Sequence, residues 1–114
     1  MKIDSCEFGS IVIDGRKYTS DLIIYPDGRV ETSWRRRFGH RLSGDDIDEL
    51  IASGPDVIVA GTGLSGLVQP EEKLEDLLHN MAIEFFPAPN EQALKIYNEL
   101  STKKRVGACF HLTC

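Results

Sequence analysis

The sequence predicts an α/β chain with α+β character, a β-meander followed by an αβαβαβ run, folded as a single domain over residues 1–114. Three observations carry this prediction. Short apolar runs in the first third are separated by Asp-Gly and Pro-Asp-Gly turns, the period turns helical at Ser43, and from there helical stripes alternate with short apolar runs. A length of 114 residues suits one domain of the usual ~100–150 residues and leaves no room for a second.

The meander is read from its turns. Ile11-Val12-Ile13, the pair Asp14-Gly15 and Arg16-Lys17-Tyr18 form a hairpin, because Asp-Gly supplies the positive φ angles of a tight hairpin turn. Leu22 to Tyr25 follows as an apolar strand. Pro26-Asp27-Gly28-Arg29 turns the chain into Val30 to Trp34, where Val30, Thr32 and Trp34 alternate with Glu31 and Ser33.

A helix is expected from Gly44, since Ser43 and Asp46 have capping-box spacing and Leu42 and Ile47 stand as a hydrophobic staple. Ile47, Leu50 and Ile51 make its buried stripe, and Gly54 and Pro55 stop it. Asp56 to Ala60 reads as a strand covered on both faces. After a glycine loop from Gly61 to Gly66, Pro70 opens a second helix whose Leu74, Leu77, Leu78 and Met81 share a face. A strand from about Met81 to Phe86 is closed by Pro87 and Pro89. Asn90 caps a third helix with Ala93, Ile96, Tyr97 and Leu100 along one stripe, and Arg105 to Thr113 is the closing strand.

Composition excludes several classes. The net charge of −5 repels phosphate backbones and argues against nucleic acid. No apolar run approaches the ~18 residues needed to cross a bilayer, and the amino terminus lacks the apolar core of a signal peptide. Three cysteines, an odd number without a secretory signal, read as free thiols in a cytoplasmic protein. His40, His79 and His111 have no zinc spacing, so neither a metal nor a cofactor is expected.

Few motifs carry chemistry. Gly61-Thr62-Gly63-Leu64-Ser65-Gly66 matches the glycine pattern of dinucleotide folds, with Glu84 18 residues beyond it. That chemistry needs a helix to start at the last glycine, and Leu67 to Pro70 postpones it. What remains is either a crowded turn or a small anion held by backbone N–H groups, with Gly61, Thr62, Gly63, Ser65 and Gly66 as ligands. If the closing strand runs parallel to Val57–Ala60, His111 completes this site; if antiparallel, Lys103, Lys104 and Arg105 do. Arg35, Arg36 and Arg37 open the one basic cluster, which ends at Arg41 and is expected to contact a protein partner or an anion. Cys109, His111 and Thr113 share a strand face, so a Cys109–His111 nucleophile pair stands as the alternative to a buried thiol. Ser65 lacks a nucleophile elbow, and Asp45, Asp46, Asp48 and Glu49 form an acidic first helical turn.

The tail, with Glu91-Gln92-Ala93, Tyr97-Asn98, Arg105-Val106-Gly107, His111 and Thr113-Cys114, resembles the carboxyl end of the Mth-domain family. The similarity extends through Trp34, the capped helix and Gly61-Thr62-Gly63. The resemblance implies a three-layer α/β fold around a central mixed sheet of about five strands, and it implies no enzymatic activity. It marks Gly61, Gly63, Tyr97, Asn98, His111 and Cys114 as pattern positions without roles. The absence of a mitochondrial leader sets the chain apart from the family's assembly-factor branch.

The expected function is a non-catalytic interaction or assembly-type module with a protein partner. The alternative is a binder of a small anionic metabolite, or an enzyme, using the Gly61 to Gly66 loop with His111.

Overall fold

A computed structural model describes residues 1–114. Its strands are β1 (Ile3–Glu7), β2 (Ser10–Ile13), β3 (Arg16–Tyr18), β4 (Leu22–Ile24), β5 (Val30–Glu31), β6 (Arg41–Leu42), β7 (Val57–Gly61), β8 (Gln69–Pro70), β9 (Glu84–Ala88) and β10 (Val106–Phe110). The α-helices are α1 (Asp48–Ala52), α2 (Glu72–Asn80) and α3 (Asn90–Leu100). The central sheet has five strands in the order β5-β4-β10-β7-β9. It is mixed: β10 runs parallel to β7 and antiparallel to β4, and β7 runs parallel to β9.

Both faces of this sheet are covered, which is why β7 and β10 are buried along their whole length. On one face Val57, Val59, Ala108 and Phe110 pack with Ala93, Leu94 and Tyr97 of α3 and with Ile3, Cys6, Ile11 and Ile13 of a small sheet, β1-β2-β3. On the other, Ile58, Ala60 and Cys109 pack with Leu50, Ile51, Leu74 and Leu78 of α1 and α2. These are the three layers and the central mixed sheet that the family resemblance implies.

The hairpin forms as expected: Ile13 pairs with Arg16, and Asp14 and Gly15 take φ of 49° and 80°. The meander does not continue past it. β3 ends its own sheet and β4 starts the central one, so the first third divides between two layers. β1 has no counterpart among the elements expected from the sequence. A register shift between Ile3 and Ser5 places Ile3 and Cys6 both inward, a spacing of three that hides the strand period. Asn98 fixes this strand to α3, accepting from Ile3 N and donating to Ile3 O, both at 2.8 Å.

Other boundaries move for local reasons. The strand expected at Val30 to Trp34 stops at Glu31, because Ser33 adopts φ 56° and Trp34 turns inward to donate its indole N–H to Asp46 O at 2.8 Å. The helix expected from Gly44 begins as a single 3-10 turn, Asp45–Ile47, before α1. Only half of the capping box forms: the Asp46 carboxylate accepts from Ser43 N at 2.9 Å and from Ser43 Oγ at 3.0 Å. Pro70 does not open α2, because it pairs with Leu42 in the two-stranded β6-β8 ladder, and α2 starts at Glu72. Leu77 and Met81 of its expected face are exposed. β9 starts at Glu84, after Ala82 at φ 58°, and continues through Pro87, which an edge strand with one neighbour tolerates.

Candidate functional site

The carboxyl ends of β7 and β10 lie side by side, as parallel pairing requires, and the start of the antiparallel β4 lies at the same edge. Open α/β sheets gather ligand-binding groups at such an edge. Here it collects the Gly61–Val68 loop, His111 to Cys114, Asp21 ahead of β4 and the first residue of α3. The closing strand is parallel to β7, so His111 does reach the glycine loop: its N–H donates to Gly61 O at 2.9 Å.

The loop's own N–H groups point into the protein. Thr62 N donates to Ala88 O (2.9 Å), Gly63 N to Asn90 Oδ1 (3.1 Å) and Leu64 N to Thr113 O (2.7 Å). Ser65 N and Leu67 N donate to Cys114 O at 3.0 and 3.3 Å, and Gly66 N donates to Gly63 O at 3.2 Å. In this arrangement no N–H from Thr62 to Leu67 is turned outward to a ligand. Close packing accounts for the glycines: a methyl on Gly61 would overlap the Phe110 ring and lie 2.6 Å from Asn90 Oδ1, and Gly63 takes φ +109° against the Cys114 backbone.

Asn90 is not a helix cap. Pro89 holds that position, and the fully buried Asn90 side chain bridges the two strand ends, accepting from Gly63 N and donating through Nδ2 to His111 O at 2.7 Å. Sequence reading missed this role because Asn ahead of a helical stripe has the same signature as a cap.

Asp21, Arg36, His111 and Thr113 form a compact polar cluster beside the loop. Asp21 Oδ2 accepts from Arg36 Nη1 at 3.0 Å and lies 2.8 Å from His111 Nδ1, while Oδ1 accepts from Leu112 N at 2.8 Å. His111 Nδ1 stands between an acceptor, Asp21 Oδ2, and a donor, Arg36 Nη2 at 2.9 Å, and Nε2 faces Thr113 Oγ1 at 3.1 Å. Burial pushes the Asp21 carboxyl up, but the bonds from His111, the Leu112 N–H and Arg36 outweigh it and hold the group below its ordinary value. Arg36 also donates twice to Gly39 O, at 2.9 and 3.2 Å, and its guanidinium lies 5.0 Å from the Trp34 ring centroid.

This corrects the reading of the arginine run. Arg36 is not a surface contact: its side chain is 6% exposed and its charge is matched by Asp21. Arg35 and Arg37 are exposed, and their side chains pair with no carboxylate. The Cys109–His111 pairing does not form either. Cys109 is buried against the α1 and α2 layer with its thiol pushed up to about 12 by burial, and His111 bonds Asp21 and Thr113 instead.

Carboxylate, imidazole and hydroxyl stand here in the order that activates a hydroxyl nucleophile, but stabilising a transition-state oxyanion also needs N–H donors aimed at the reacting carbon. The loop donors beside Thr113 are already engaged within the chain. No group of three His, Cys, Asp or Glu side chains is placed to hold a metal ion, and no helix is long and apolar enough to cross a membrane.

Around this closed cluster the surface is apolar and basic. Phe38, Leu64 and Leu67 are 55%, 38% and 48% exposed. Phe38 has the guanidinium carbons of Arg37 and Arg41 at 6.0 and 5.3 Å from its ring centroid, and a shallow recess of about 300 Å³ is lined by Phe38, His40 and Arg41.

Residues 3–111 match the family model described as a protein of unknown function, DUF498/DUF598. Among solved structures, the chain is similar to a conserved hypothetical protein, PH1505, from Pyrococcus horikoshii, with 32% identity over 100% of both chains and a TM-score of 0.85. It is also similar to MT938, with 30% identity over 99% of this chain and 98% of that one and a TM-score of 0.80. A Mth938-like domain protein from Bordetella pertussis shares the fold at 16% identity, with 97% of this chain and 85% of that one covered and a TM-score of 0.68. A match over nearly the whole chain, together with two solved relatives at 30% identity or above, makes this chain a member of the DUF498/DUF598 family of proteins of unknown function.

Proposed function

We propose that the chain, acting as one unit over residues 1–114 in the cytoplasm, is a non-catalytic interaction module whose contact surface is the end of the sheet bearing the Arg35–Arg41 and Gly61–Val68 segments. The observation that carries this reading is a contrast at that end. The hydrogen-bonding groups that would do chemistry are closed on one another, while large apolar side chains beside them are left exposed. Three free thiols, none in a disulfide, support a reducing compartment.

The second reading, a small anion held by Gly61, Thr62, Gly63, Ser65 and Gly66 with His111, requires the N–H groups of Thr62, Gly63, Ser65 and Gly66 to leave acceptors they hold at 2.9–3.2 Å. Native mass spectrometry of the protein taken from its own cell separates the two. A retained protein partner supports the module, and a stoichiometric small anion without a partner refutes it. Titration with phosphate, sulfate and carboxylate metabolites, followed at the amides of Gly61, Gly63 and Gly66, gives a second reading of the same question.

A further inference from the structure

We infer that the partner of this surface is an acidic polypeptide segment carrying apolar side chains, and that it docks on the tip formed by Arg37, Phe38, Gly39, His40 and Arg41. This rests on the interaction-module reading and adds the chemistry of what is bound.

Charge is the first argument. The chain carries −5 overall, yet five of its 13 lysines and arginines, counting Arg29, fall between Arg29 and Arg41, and four of them lie in the seven positions from Arg35 to Arg41. Arg36 is spent on Asp21, and the Arg41 Nε lies 3.6 Å from Glu71 Oε2 with its side chain 57% exposed. The Arg35 and Arg37 side chains have no carboxylate partner. The surplus at the tip is therefore positive on a negative body, which steers an acidic segment toward the tip and away from the remaining surface.

Backbone is the second. The N–H groups of Phe38, Gly39 and His40 donate to no acceptor in the chain. Three successive free donors suit carboxylate or carbonyl oxygens of an extended segment, and they differ from the closed donors of the glycine loop a short distance away.

The third is the apolar content. Phe38 has the guanidinium carbons of Arg37 and Arg41 6.0 and 5.3 Å from its ring centroid, so its exposed ring stands beside the positive groups that an acidic segment would meet. The β6-β8 ladder pairs Arg41 with Gln69, and Gln69 N donates to His40 O at 2.9 Å. The segments leading into those residues therefore run side by side, and Leu67 extends the apolar surface next to the tip. Inorganic phosphate would leave Phe38 and Leu67 exposed, and although a base can stack on Phe38, every nucleotide adds a phosphate that a chain of net charge −5 repels, so an acidic peptide with apolar side chains suits the surface better than a nucleic acid.

The test uses ¹⁵N-labelled full chain and four probes: a peptide alternating Glu with Leu and Phe, the same peptide with Lys for each Glu, an oligothymidylate, and inorganic phosphate. The acidic peptide is expected to shift the amides of Phe38, Gly39, His40, Arg41 and Leu67. Phe38→Ser and the double change Arg37→Ser with Arg41→Ser, at exposed positions, should each weaken it about tenfold or more with the fold intact. The inference is overturned if the acidic peptide causes no shift at millimolar concentration, if the lysine peptide binds as well, or if oligothymidylate or phosphate binds more tightly. Cross-linking in the native cell separates this inference from the reading beneath it. Cross-links from the tip to an acidic segment support both, cross-links from another face overturn the tip alone, and no protein cross-link at all overturns both.

Discussion

Arg36→Ala should destabilise this protein far more than the same change at either neighbouring arginine. The substitution removes the Nη1 bond to Asp21 at 3.0 Å, the Nη2 contact with His111 Nδ1 at 2.9 Å and both bonds to Gly39 O, and leaves Asp21 with only the His111 and Leu112 donors. Breaking a buried ion pair by deleting one partner costs about 3–5 kcal/mol. Asp21 remains 20% exposed with two donors in place, which lowers the expected cost to about 2–3 kcal/mol. For a domain of this size that is a fall in Tm of roughly 8–20 °C. Arg35→Ala and Arg37→Ala, at exposed positions, should each stay within about 0.5 kcal/mol. Urea unfolding followed by circular dichroism reads all three, and an unchanged m value confirms that stability rather than compactness has altered. If Arg36→Ala lies within about 0.5 kcal/mol of the parent chain, the range of an ordinary surface substitution, the buried-pair reasoning is wrong.

Three further outcomes follow from the same geometry. Because the folded carboxyl of Asp21 is held below its ordinary value of 3.8, its contribution is fully present above the unfolded value and is lost as pH falls toward the folded one. The stability gap between the parent chain and Asp21→Asn should thus be widest near neutral pH and close on acidification; a gap that widens in acid would reverse the sign. Iodoacetamide should modify exposed Cys114 quickly in the native protein and reach Cys6 and Cys109, whose thiols burial pushes up to about 11 and about 12, only on unfolding; three equal rates would contradict this. Gly61→Ala should cost about 1–3 kcal/mol by forcing a methyl against the buried Phe110 ring, whereas Gly39→Ala, with open space around it, should leave urea midpoints unchanged.

Sequence carried the fold well where one local signal was sufficient. Asp14-Gly15 specified its turn, the run at Val57–Ala60 announced a strand covered twice, and the Ala93–Tyr97 stripe announced α3. It was silent where the determining contact is distant. Asp21 and His111 meet across 90 positions, and nothing near Asp21 signals that it will be buried. The arginine run shows the middle case. Trp34 and Arg36 stand two apart on an extended segment and both turn inward, while Arg35 and Arg37 turn out. That parity was readable from a lone tryptophan beside charged neighbours, but three like charges in a row read first as one solvated stretch. Asn90 was legible as a polar residue at a helix start, and only the arrival of Gly63 and His111 decided which backbone groups it would serve.

The position of β10 sets the timetable of assembly on the ribosome. β4 and β7 flank it and do not pair with each other, and Val57 emerges about 50 residues before its partner Val106. At a synthesis rate of ~5–20 residues per second, the β7 edge waits roughly 2–10 seconds and the β4 edge, whose Leu22 pairs with Phe110, roughly 4–18 seconds in the nascent chain for the strand that joins them. During that interval they are open to pairing with other chains, and a chaperone that shields strands longest would act between Gly61 and Val106. Translational pausing after Leu100 should lengthen that wait and raise the aggregated fraction, with no change in the stability of the molecules that finish folding.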